Sequence, residues 1–469
     1  VRPAAPPVQA PVYDPWDWSP EFADDFEGFF APLPDFIHPF DYLAWFRQEM
    51  LQEPEDNAYY AYAEFMPTFA DDEKVLPELA GPLNSGYDGP PGPWDPEEHP
   101  DWAASNDNIQ DLLEQFREAT EHEGYASPPD APFAEEFTIG GKPLLLGMLL
   151  PSLSAHRAMA KASMDDAWRL RDGKVSGDRM IEAMRATYRS ADHLAGGATL
   201  IEQLVAAAER ALTQKNARWA LEHEVFSADQ IETALDVMME YDRDERDPAR
   251  WVRGEHATSM DFIQAMFPPP GGDGTPEGRE DLVKLAGMLN DWGGTEEQSE
   301  AVMNMTVDDA RRSAEALDSY YRDLTEMMRT GYPHARVGDL RAKEQEYVNT
   351  SPLTKALLPS LSRAYLLGTR VKASDRATKL AYAVELFRQR QGRWPESFDE
   401  LPARYVDEAR IDPFTGQDFG YRLDDDGPVI YSYSENGVDD GAVHSPRWDD
   451  KIENDVGSDD FVFYPPQHR

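Results

Sequence analysis

The densest chemistry of this chain lies near its C-terminal end. Glu435-Asn436-Gly437 and Asp439-Asp440-Gly441 are two tight acidic turns in one short stretch, and Asp459-Asp460 follows just before a last apolar run, Phe461-Val462-Phe463. Carboxylates, amide oxygens and backbone carbonyls are hard donors, the kind calcium gathers six to eight at a time. The same residues also read as a pair of solvated acidic turns. Asp424-Asp425-Asp426-Gly427 is a weaker signal, because Asp-Gly pairs close hairpins without any metal. Elsewhere there is no H-E-x-x-H, no G-x-S-x-G and no Walker A loop. His223-Glu224 and Glu255-His256 stand without a third ligand at metal spacing and are expected as helix-surface pairs. The chain has no cysteine, so a thiolate nucleophile, a thiolate metal site and a disulfide framework are all excluded.

The acidic turns need a frame, and the preceding hundred residues supply one. Ala377, Leu380, Ala381, Val384 and Phe387 make an apolar stripe on a helix over 375–391, which would leave Lys379, Glu385, Arg388 and Arg390 outward. Gly392 suits the position after the helix, and Trp394-Pro395 stops it. Ser397 and Glu400 have capping-box spacing. Asp412-Pro413-Phe414-Thr415-Gly416 reads as a turn with its own Asp acceptor. Phe419–Leu423 and Val429–Tyr433 read as strands joined at Asp424–Gly427, with Phe461–Phe463 as a last strand.

This ordered set resembles the C-terminal half of the major pseudopilin of type II secretion systems. The resemblance implies a long helix, a G-x-[YW]-P turn and a small sheet closed by a calcium loop. It aligns Asn436 with an Asp usual in the family and Asp460 with the family's late Asp, with Asp439 and Asp440 as further carboxylates. Asn436 and the insertion from Val443 to Gly457 depart from the pattern. A wider resemblance spans about 57–466 and is carried by Asn57-Ala58-Tyr59-Tyr60, Thr199–Val205 and Arg253-Gly254-Glu255-His256-Ala257. It is to large uncharacterised envelope proteins of planctomycete-type bacteria, in which a helical body precedes the pseudopilin-like end. That likeness implies no activity.

From about 136 to 350, apolar positions recur at helical spacing. Ser227 with Gln230 and Thr306 before a long run mark helix starts. Leu149-Leu150-Pro151-Ser152-Leu153-Ser154 recurs as Leu357-Leu358-Pro359-Ser360-Leu361-Ser362, either as two ordinary Pro-started helices or as a decayed duplication. Loops rich in Gly and Pro are expected at 81–100 and 267–278.

The first 56 residues differ. More than half of the 38 prolines lie before residue 136, where acids far outnumber bases. Aromatics are nonetheless dense, whereas disordered tails are aromatic-poor. Trp16, Trp18, Phe22, Phe26, Phe29, Phe30, Phe36, Phe40 and Trp45 are expected to anchor an extended arm, on a partner or on this same chain.

Composition sets the outer bounds. A formal charge of -45, from 89 acids against 44 bases, argues against binding nucleic acid or an anionic membrane. No apolar run is long enough to span a bilayer, so membrane contact is expected only through an anchor preceding Val1.

The expected architecture is mainly α with a small C-terminal α+β module. It divides into an arm (1–56), a helical body (57–350) and a pseudopilin-like module (351–469). The expected function is a non-catalytic structural or assembly protein of the bacterial envelope, in the periplasm or on the cell surface, within a multi-subunit assembly. The alternatives are an accessory subunit of an extracytoplasmic enzyme complex and, behind it, a helical hydrolase.

Overall fold

The computed structural model describes residues 41–51, 54–66, 92–128, 138–139, 142–148, 150, 152–241, 250–266, 300, 304–330, 342, 344–357, 361–444 and 460–466. The protein is mostly helical, with a small three-stranded antiparallel sheet at its C-terminal end. The helices are α1 (Tyr42–Trp45), α2 (Ala58–Ala63), α3 (Pro100–Asn108), α4 (Gln110–Thr120), α5 (Leu153–Ala167), α6 (Gly177–Ala195), α7 (Leu200–Glu222), α8 (Ala228–Glu240), α9 (Arg250–Met266), α10 (Val307–Thr330), α11 (Pro352–Leu357), α12 (Leu361–Gln391) and α13 (Ala403–Val406). A two-stranded ribbon, β1 (Thr138–Ile139) with β2 (Lys142–Pro143), precedes α5. The C-terminal sheet has β3 (Gly420–Asp424), β4 (Gly427–Ser432) and β5 (Phe461–Tyr464) in that order.

Local chemistry sets several starts. Ser227 and Gln230 satisfy each other's backbone N–H groups at the head of α8, and Thr199 with Glu202 does the same for α7. Thr306 accepts from the Asp309 N–H at 3.2 Å, while Asp309 accepts from the Thr306 N–H at 2.8 Å. Ser397 differs from its expected capping box. It accepts from the Asp399 N–H and opens a short 3-10 turn, while Glu400 turns to Arg393 and the Glu396 N–H. Of the two Leu-Leu-Pro-Ser-Leu-Ser copies, the helices start at Leu153 and Leu361, the same position in each; the prolines themselves lie outside the described residues.

The main core joins α2–α8 to α12 and to the C-terminal sheet, so the helical body and the C-terminal module share one hydrophobic interior. A second core gathers α9, α10 and the start of α11. α12 is the shared element. Residues 376–386 are buried on every side, against α7, α8, the sheet and α13. The one-stripe expectation therefore fails here: Lys379 and Glu385, read as outward, are buried. Each brings its partner along. The Lys379 ammonium sits 2.7 Å from Asp375, and Glu385 takes a two-pronged pair from Arg388. Asp375 also accepts from the Tyr188 hydroxyl and the Gln214 amide, each at 3.3 Å. Arg218 of α7 donates to Ser374 at 2.9 Å and to Thr378. A polar seam thus runs through the apolar contact of α6, α7 and α12.

Glu255 and His256 also depart from the expected surface pair. His256 is buried and stacks on Tyr321 at 4.8 Å, and the Glu255 carboxylate accepts from the Leu200 N–H at 2.8 Å. His223 is exposed at the end of α7.

Candidate functional site

The acidic turns sit on a frame built from α12 outward. Gly392, at φ +71°, ends the helix in the left-handed conformation glycine adopts without strain. Trp394 then lies over Arg388 and near Gly427 of the hairpin. Asp412 does more than close its own turn. It is fully buried; one oxygen accepts from the Phe414 N–H, and the other accepts from the Ser432 hydroxyl at 2.8 Å and the Tyr433 N–H at 3.0 Å. One carboxylate thereby pins the 412–416 turn to the end of β4. Burial pushes its pKa up, and the three donors hold it back.

The sheet carries the loop on one face. β3 pairs β4 with Tyr421 opposite Ile430, and β4 pairs β5 with Tyr431 opposite Val462. The Tyr431 ring covers Gly420, where a side chain would collide with it, and its hydroxyl donates to Asp439 at 3.0 Å. Arg422 reaches the Gly441 carbonyl at 2.6 Å. Arg370 of α12 pairs with Glu435 at the loop's other end.

Within the loop, Asn436 donates to Asp440 at 3.2 Å and accepts from the Val438 N–H at 2.7 Å. Asp439 accepts from the Gly441 N–H at 2.9 Å. Asp460, across the loop at the start of β5, accepts with Oδ2 from the N–H groups of Asp440 (3.1 Å) and Ala442 (2.8 Å). The four candidate residues Asn436, Asp439, Asp440 and Asp460 thus belong to one hydrogen-bonded unit. Asp460 is buried, and its Oδ1 has no hydrogen-bond partner. Burial, with Asp439 and Asp440 adding repulsion, pushes its carboxyl up to about 7. Without a cation, then, this group favours the fold when protonated. Its contribution is lost as pH rises from the ordinary 3.8 towards about 7.

The donors are of the type calcium takes: three carboxylates, one of which, Asp460, has a buried oxygen without a hydrogen bond, and the amide oxygen of Asn436. Among the described residues, however, no three His, Asp, Glu or Cys side chains are grouped so as to hold a metal ion. One oxygen of Asp439 accepts from Tyr431 and Gly441, and one oxygen of Asp440 accepts from Asn436.

The proposed arm anchors divide. Trp16, Trp18, Phe22, Phe26, Phe29, Phe30, Phe36 and Phe40 lie outside the described residues. Trp45 is buried against this same chain, in a small core with Phe46, Met50, Leu145, Ala198 and Ala257. A second polar constellation was not legible in sequence. Tyr62, His156, Ser190, His193 and Glu209 meet in the interior from four helices, α2, α5, α6 and α7. No motif spacing links residues so far apart, and each alone reads as one polar residue on a helix.

No protein-family model, curated protein or solved structure matches this chain. Among the described residues no helix is long and apolar enough to cross a membrane.

Proposed function

We propose that this protein is a non-catalytic structural or assembly component of the bacterial cell envelope, working outside the cytoplasm within a multi-subunit assembly. Its C-terminal end is a pseudopilin-like module, and a calcium ion on Asp460, Asp439, Asp440 and Asn436 ties the acidic loop to β5. The segment before Asp41 is the part that meets a partner protein. The observation that carries the metal reading is the Asp460 Oδ1 oxygen, buried, unpaired and repelled by two neighbouring carboxylates. A cation would convert that repulsion into attraction, and a buried charge is retained where it is paired or ligates a metal.

Two experiments test the two halves. Calcium should raise the melting temperature of the full chain, increasingly with concentration, since an ion that binds only the folded state stabilises by about 2.7 kcal/mol at a hundredfold excess over its Kd. Asp460→Asn should melt higher than the parent in chelator, because it removes the carboxylate charge that burial and the neighbouring Asp439 and Asp440 oppose, and it should lose the calcium response. A calcium-insensitive melt of the parent protein rejects the metal. For the partner, a tagged chain lacking residues 1–40 should lose the proteins that co-purify with the full chain from native membranes, with its melt unchanged. The cut stops at Asp41 because Trp45 and Phe46 serve this chain's own core. An unaltered set of partners overturns the docking role.

A further inference from the structure

The buried constellation beneath α2 is covered by a small strap. The strap has two pieces, 54–63 and 121–126, clipped to each other. The Ala58 N–H donates to the Gly124 carbonyl at 2.8 Å, the Gly124 N–H to the Asp56 carbonyl at 3.2 Å, and Asn57 exchanges two 3.0 Å bonds with Ala126. Asp56 also pairs with His122 at the surface.

One histidine grips both pieces from below. His193 of α6 bonds through Nε2 to the His122 carbonyl at 3.0 Å, so Nε2 carries the proton. Its Nδ1 shares a 3.1 Å hydrogen bond with the Tyr62 hydroxyl of α2, a group able to donate or accept. The groups around it are neutral or starved of partners. Ser190 bonds the His156 Nδ1 at 3.0 Å, and His156 Nε2 has no partner. Glu209 of α7 is buried with neither oxygen hydrogen-bonded; the Ser190 hydroxyl faces it, Tyr62 lies within its field, and the exposed Arg157 of α5 acts on it only through its charge. Tyr125 of the strap stacks on His193 and faces the buried Glu202 of α7. A charge on Glu209 or His156 would be only partly compensated in this buried setting, which is costly.

We propose that this constellation is a charge-sensitive latch: the strap stays closed over the body while Glu209 and His156 are neutral, and opens when either ionises. This goes beyond the assembly reading and does not depend on it.

The pH dependence follows from the two resolved shifts. Burial, offset in part by Ser190 and Arg157, raises Glu209 from 4.5 to about 8, so its support for closure is lost as pH rises between those values. Burial, with His193 adding to it, lowers His156 from 6.5 to about 3, so its support is lost as pH falls through that range. Between ~4.5 and ~6.5 the two trends offset. From ~6.5 to ~8 only Glu209 acts, and opening should grow about tenfold per pH unit, roughly 30-fold in all, before levelling off.

Hydrogen–deuterium exchange of the full chain tests this, read on peptides covering 56–66 and 121–126 and corrected for intrinsic exchange. The parent should show the rise above pH ~6.5 in the strap and not in α12 peptides. Glu209→Gln, which copies the protonated acid, should abolish the rise. Tyr62→Phe should raise strap exchange at every pH with the slope kept. If strap exchange follows α12 at every pH, or if Glu209→Gln keeps the parent's slope, the latch is wrong. The parent's strap-against-α12 comparison decides even where a variant fails to fold.

Discussion

Asp375→Ala is expected to cost about 3–5 kcal/mol of stability, because it breaks a buried ion pair by removing the carboxylate 2.7 Å from the Lys379 ammonium. Lys379 of α12 is wholly buried, and Asp375 lies 2.7 Å from it. Tyr188 and Gln214 would also lose their acceptor. Replacing both charges tells the pair from the packing: Asp375→Leu with Lys379→Met should recover most of the loss, since apolar residues of similar volume often match a buried ion pair. Urea denaturation of the parent, the single and the double variant gives the comparison. A single variant within ~1 kcal/mol of the parent would show that the seam does not hold α12 in place. The acid limb gives a further check. Burial works against the Asp375 carboxylate, but Lys379 and the hydrogen-bond donors together carry its pKa below the ordinary value of 3.8. A depressed carboxyl contributes stability above its unfolded pKa and loses it as pH falls below that value. The parent should therefore weaken at acid pH through this pair, and the double variant should weaken less.

This seam also marks where sequence reading reached its limit. Helix starts were legible because a cap and its donor lie three residues apart, as at Ser227 and Gln230. The hairpin and the last strand were legible because Asp424–Gly427 has turn chemistry and the runs around it and at Phe461–Phe463 are rich in aromatic and β-branched residues. Lys379 and Glu385 were misplaced because a stripe model allows each helix one dry face, whereas α12 is packed all round, and a charge can enter a core when its partner enters with it. His256 and Glu255 failed for the same reason. In the acidic loop, residue types pointed to hard-oxygen chemistry, but they could not reveal that Asp439 and Asp440 are held by Tyr431 and Asn436, nor that one oxygen of Asp460 is left unpaired. The latch was invisible because Tyr62, His156, Ser190, His193 and Glu209 meet only in three dimensions. Trp45 shows the reverse limit: aromatic density marked it as an anchor, and only the fold shows that it anchors this chain to itself.

Gly254→Ala is expected to destabilise by about 2–3 kcal/mol, although alanine is the better helix former. A β-carbon at this position of α9 would stand 1.9 Å from the Ala198 carbonyl oxygen and 3.0 Å from its carbonyl carbon. Both are backbone atoms, so no side-chain rotation relieves the overlap; α9 has to move away from the start of α7. The joint has little room to give. The Glu255 carboxylate holds the Leu200 N–H, Thr199 and Glu202 cap the same turn, and Phe46 packs 3.4 Å from the new carbon. Moving α9 therefore breaks a cap, unpairs a buried carboxylate and opens the small core around Trp45. Gly368→Ala in α12 is the matched control. It is exposed, nothing lies within 4 Å of its added carbon, and propensity alone should stabilise it by up to ~1 kcal/mol. Chemical denaturation of the two variants should move in opposite directions from the parent. Equal shifts would mean that the close approach of Gly254 to Ala198 does not govern how α9 seats on α7.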